Sequence, residues 1–191
     1  MSNLHKKEQQ LETYIALLRG INVSGKNKLP MAELRALAES LGYRSVKTYI
    51  QSGNLLFQYA DVPATDLSNQ LKDAIKGQFD YEVPVLTLSR NELERIVVAN
   101  PFLVDATPEI KSLHVTLLDQ LPDADLLAAI KAKDFGADQF EVVERSIYLH
   151  CSNGYGRTKL TNTFFERKLK VQATTRNWKT MLKVQEMSGA A

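Results

Sequence analysis

Residues 20–28 read GINVSGKNK, either a phosphate loop or a strand-to-helix turn. Gly20, Gly25 and Lys26 keep the spacing G-x-x-x-x-G-K, the phosphate loop of nucleotide hydrolases. In such a loop the helix starts on the Gly-Lys-Ser/Thr residues, so that free amides and the positive helix end hold the phosphates. Here Lys28, Leu29 and Pro30 intervene before any helical pattern. Pro30 has no amide hydrogen and holds Leu29 toward extended backbone. Asn27 stands where a Ser or Thr hydroxyl would ligate magnesium. The stretch therefore reads as a strand-to-helix turn, and a nucleoside-triphosphate hydrolase fold is set aside.

Working outward, TYIALLRG (13–20) is a short apolar run that Gly20 ends, a buried strand. MAELRALAESLG (31–42) places Leu34, Leu37, Ala38 and Leu41 on one helical face, with Pro30 at the first turn and Gly42 past the end. VKTYI (46–50) and NLLFQY (54–59) flank QSG as a hairpin. ATDLSNQLKDAIKGQF (64–79) is helical, with Thr65 or Asp66 as its expected cap, and VPVLTL (83–88) is a strand. The order is β-α-β-β-α-β, the ferredoxin-like split unit. A helix over 89–100 follows and Asn100-Pro101 stops it.

The plan then restarts. KSLHVTLLD (111–119) is a strand, and Asp123 caps a helix over 124–133. DQFEVVE (138–144) and SIYLHC (146–151) make a second hairpin, and TKLTNTFFERKLK (158–170) a helix. In place of a last strand, TRNWKTMLKVQEM (175–187) reads as helix, capped by Thr174 or Thr175. The expectation is an α+β chain of two ferredoxin-like subdomains, residues 12–100 with a linking helix and residues 101–191 with a C-terminal helix.

Net charge is only +2, but its distribution is uneven. From Arg145 to Lys183 there are nine Lys or Arg against one acid, Glu166, whereas residues 119–144 hold seven acids against two lysines. A basic quarter on an acidic body steers anions, or else is a solvated face beside an acidic neighbour. Cys151 is the only cysteine, so no disulfide forms within the chain. No signal-peptide core and no apolar run of 18 residues is present, which points to the cytoplasm and away from membranes.

The motifs YIALLRGINVSGKNK (14–28), YIQSGNLLF (49–57), NPF (100–102), GYGRTKL (154–160) and FFERKLKVQATTRNWKT (164–180) together make the chain resemble the DUF1697 family, from about Tyr14 to Lys183. Ser24 and Thr158 stand where many members have Gly and Ser. The resemblance implies two ferredoxin-like subdomains. It implies no biochemical activity.

Candidate ligand-binding residues fall in four clusters. Arg19, Asn22, Lys26, Asn27 and Lys28 form either an anion nest or a turn whose asparagines bind its own backbone. Gln51, Ser52 and Asn54 at the hairpin tip either meet a small polar ligand or close the turn. In GYGRTKL, Tyr155 stacks on a base or fills a seam, Arg157 and Lys159 supply charge, and Thr158 caps the helix. In ATTRNWKT, Arg176 offers a planar donor fork, Asn177 both donor and acceptor, and Trp178 either a flat platform or the apolar anchor of the last helix. His114 and His150 sit in strands, and Glu166 is expected to pair with Lys170. No zinc-ligand spacing, metal site or cofactor motif is present, and no catalytic residue is assigned.

Three functions compete. The favoured one is a binding module for a phosphorylated small molecule or nucleic acid, held in a cleft between the subdomains. The second is an enzyme acting on a phosphorylated or nucleotide-like substrate, whose cations stabilise developing charge. The third is a structural or protein-interaction role. The sequence does not set the oligomeric state.

Overall fold

The computed structural model describes residues 10–23, 25–103 and 109–189. Residues 1–9, with His5, and Ser24 lie outside the described residues. The chain divides between Arg90 and Asn91 into two compact units.

The first unit carries β1 (Leu11–Leu18), α1 (Met31–Ser40), β2 (Arg44–Tyr49), β3 (Asn54–Ala60), α2 (Ala64–Phe79) and β4 (Val85–Ser89). Its four strands are antiparallel in the order β2-β3-β1-β4. Period-two alternation sends Tyr14, Ala16, Leu18, Leu55 and Phe57 to the face that meets Leu34, Leu37, Leu67, Leu71 and Ile75 of the helices. The spacing of four in α2 stacks its three buried residues on one stripe. Tyr43 lies flat on Phe57, centroids 4.1 Å apart. Neither Thr65 nor Asp66 caps α2: Pro63 holds the capping position and no side chain bonds there. Proline has fixed the entry angle, so the helix begins one residue before Thr65.

The second unit carries α3 (Arg90–Val98, from Asn91 onward), β5 (Leu113–Leu118), α4 (Ala124–Lys131), β6 (Gln139–Val143), β7 (Ser146–His150), α5 (Asn162–Leu169), β8 (Ala173–Asn177) and α6 (Trp178–Gly189). The strand order β6-β7-β5-β8 repeats that of the first sheet. Ile147 and Leu149 enter a core with Ile130, Leu160, Phe165 and Leu169. Tyr148, on the opposite face between them, meets Trp178 edge to face and donates its hydroxyl to Ile96 O of α3 at 2.7 Å. Arg145 adds an ion pair to Glu92 of α3 at 3.1 Å. The protein is thus α+β, two ferredoxin-like subdomains followed by the C-terminal helix α6.

Two expectations are corrected here. The last strand is present: residues 173–177 pair with β5, and the helix starts only at Trp178. Thr174 and Thr175 are β-branched residues that fit the pleated ladder better than a helix turn. The cap is therefore not a threonine but Asn177, whose Oδ1 accepts from Thr180 N at 2.8 Å. Likewise α5 begins at Asn162 rather than Thr158. Thr161 caps it by accepting from Phe164 N, and Tyr155–Arg157 form a separate 3-10 turn. Thr158 instead accepts from Leu160 N within the connecting segment.

Candidate functional site

The turn that opens the chain's first half is tied to itself and to the next hairpin. Asn22, in left-handed backbone (φ 54°), accepts from Leu29 N and donates to Leu29 O and to Gln51 O, at 2.9, 2.9 and 3.0 Å. Asn27, also left-handed (φ 46°), donates its side chain to Gly20 O at 3.0 Å and accepts Asn22 N on its carbonyl. The side-chain amides are therefore directed at the chain's own backbone. Lys26 and Lys28 stand exposed around them, and Arg19 is half-buried. Helix α1 starts at Met31, one turn beyond the Gly-Lys pair, so its end does not lie over the loop glycines.

At the hairpin tip, Asn54 is fully buried and donates to Tyr49 O and Ser52 Oγ, closing the turn. Gln51 and Ser52 are exposed. Gly53 (φ +79°) packs so tightly that a Cβ there would lie 2.7 Å from Leu18 Cβ. Beside it Ile50 adopts φ +49° with half its surface in water (51% exposed), an unusual setting for a β-branched side chain.

In the second unit Tyr155 stacks on buried His114, centroids 4.8 Å apart, and burial pushes the His114 imidazole below its usual range. Arg157 is exposed on the 3-10 turn. Trp178 is 1% exposed, so its surface is spent on Tyr148 and the core. Arg176 is buried in β8 and donates to Thr175 O. Desolvation lowers its guanidinium, which still remains a cation at neutral pH. Glu166 does not follow the expected pairing with Lys170: it accepts from Ala173 N at 3.1 Å, locking α5 to β8. Cys151 is buried and its thiol is pushed up to about 11, chiefly by desolvation.

Lys159 belongs to a different constellation. The turn after α4, the segment before α5 and its first turns border an open groove of about 510 Å³ lined by Lys133, Asp134, Phe135, Lys159, Thr161, Thr163, Phe164 and Arg167. Three cations face one acid. That acid, Asp134, already accepts from Gly136 N at 2.7 Å. Thr163 and Arg167 lie four residues apart on α5 and so share a face. Phe135 and Phe164 meet edge to face at 5.5 Å, and each is braced by a further ring, Phe140 at 5.8 Å and Phe165 at 5.3 Å. The groove pairs a braced aromatic lining with exposed positive charge, chemistry suited to an anion that carries a flat or apolar group.

Among the described residues no three His, Cys, Asp or Glu side chains gather as a metal site, and no helix is long and apolar enough to cross a membrane.

A family model described as "Protein of unknown function (DUF1697)" matches residues 11–148. The chain belongs to the DUF1697 family. It is similar to the solved structure of the conserved bacterial protein SP0830 from Streptococcus pneumoniae. The two are 25% identical over 94% of this chain and 99% of that one, with a TM-score of 0.75. No curated protein matches.

In this DUF1697 chain the matched stretch takes in Lys133 and Phe135 and ends before Lys159 and α5. Of the sequence candidates only Lys159 lines the groove. Lys133, Phe135, Thr163, Phe164 and Arg167 were not among them. Lys133 sits in an acidic stretch, and Phe164 reads as core from its helical spacing beside Phe165. The signal for two of them is Phe164 and Arg167 at i and i+3, an aromatic and a cation side by side on α5.

Proposed function

We propose that the protein is a binding module for a phosphorylated ligand, a small molecule or a nucleic acid, and that the groove between the turn after α4 and the start of α5 is its anion-binding site. The observation that supports this reading is the convergence of Lys133, Lys159 and Arg167 on one concave surface, with Asp134 turned toward its own backbone. Exposed lysines and arginines gain little from pairing in water, yet together they attract a phosphate strongly. Arg167 adds a planar fork that matches two phosphate oxygens. The volume, about 510 Å³, falls in the range of small-ligand sites.

Calorimetric titration of the full chain with pyrophosphate and with a short oligonucleotide, at several salt concentrations, tests the reading. The expected result is binding that weakens with salt. For a single strand the slope of log K against log salt is about −2, from three cations at roughly 0.7 each. Lys159→Ala combined with Arg167→Ala should weaken it at least tenfold. No binding to either anion at low salt, or binding indifferent to that double substitution, would overturn the assignment.

A further inference from the structure

The proposed site contains more than charge. Phe135 and Phe164 pack against the core of the second unit and are braced by neighbouring rings, yet each keeps part of its surface in the groove. A site for bare phosphate needs only cations and backbone amides, and aromatic surface left in water there is unfavourable. Aromatic faces and edges beside a cation instead match a heterocyclic base, whose π-surface stacks irrespective of its sequence. Building on the reading of this groove as an anion site, we infer that its ligand is a nucleotide. The base lies against Phe135 and Phe164, and its phosphate lies among Lys133, Lys159 and Arg167.

The rest of the groove suits that division. Thr161 is engaged as the cap of α5, accepting from Phe164 N at 3.2 Å. Thr163, one turn before Arg167 on the same face, is exposed and supplies a hydroxyl for a ribose or a base edge. The rings cannot swing away cheaply. Phe135 contacts both Phe140 and Phe164 at nearly right angles, 83° and 84°, so the platform exists before ligand arrives. The same chemistry is found in a free nucleoside phosphate and in one residue of a single strand.

The experiment titrates the full chain with inorganic phosphate, ribose 5-phosphate, AMP and a twelve-residue oligouridylate at fixed low salt. AMP should bind about tenfold tighter than ribose 5-phosphate, the difference being the stacked base. Phe164→Leu keeps an apolar side chain of similar bulk. It should lower AMP affinity five- to tenfold and ribose 5-phosphate affinity by a clearly smaller factor, with circular dichroism confirming an intact fold. Arg167→Gln should lower affinity for all four. Oligouridylate that binds tighter than AMP assigns the site to a strand, and equal affinity assigns it to free nucleotide. If AMP binds no better than ribose 5-phosphate, or Phe164→Leu leaves it unchanged, the nucleotide assignment is overturned while the anion site stands. If none of the four binds, both fall.

Discussion

The turn at 19–30 in the first unit and the groove at 133–167 in the second present a useful contrast. The turn carries a near-match to a phosphate-binding pattern, two lysines and two asparagines. Its asparagines nevertheless hold its own backbone and that of the next hairpin. The groove matches no pattern, and its residues come from two segments separated by more than twenty positions. Its charges surround a concave surface with rings at hand, whereas the turn's lysines surround a knot of satisfied amides. A polar side chain already bonded within the fold is poorly placed to recognise a ligand, because the ligand must first displace a bond of equal worth.

Substitutions can break this contrast, and the largest effect is expected at the hairpin tied to the turn. Gly53→Ala puts a methyl 2.7 Å from Leu18 Cβ at a φ of +79°. Strain and overpacking together should cost about 3 kcal/mol in urea unfolding. Gly25→Ala is its control. Gly25 has nearly the same φ, +77°, but open space around a Cβ, so only the backbone penalty of about 1 kcal/mol should appear. Equal losses at both would show that the tip is not packed as described.

Asn22→Ala removes three hydrogen bonds between the turn and its neighbours and leaves Leu29 N in search of an acceptor. A loss of about 2 kcal/mol is expected by the same measurement. A neutral result would free the asparagine for a ligand and dissolve the contrast. Ile50→Asn should move the other way. Asparagine tolerates left-handed backbone, and the isoleucine gives up half its side chain to water, so a gain of about 0.5–1 kcal/mol is expected.

The smallest stability effect belongs to the groove. Lys159→Ala with Arg167→Ala should change the unfolding free energy by less than about 0.5 kcal/mol, since both side chains are exposed. The same protein should lose phosphate or nucleotide binding in calorimetry. Loss of stability without loss of binding would reverse the roles assigned to the two regions.

Much of the fold was legible. The spacing of four in Leu67, Leu71 and Ile75 reports burial directly, because a helix stripe has a fixed period. The rest failed where short polar segments have no period. ATTRN holds too few apolar residues to announce β8, and its pairing with β5 is a contact across more than fifty positions. The same limit applied to function. Lys159 stood out by its setting in GYGRTKL, whereas Lys133 and Phe135 acquire meaning only when the turn after α4 lies beside α5.

Local pattern was enough for the first split β-α-β plan, the restart of the second as far as α5, the proline that delays α1, and the absence of a cysteine partner for Cys151. These follow from local sterics and periodicity, which act within a few residues. The tertiary structure alone decided that Asn22 clamps Gln51, that Trp178 closes a core, and that three distant cations share a groove with two phenylalanines. Those outcomes depend on which surfaces folding brings together, and no local rule reports the distance between segments far apart in the chain.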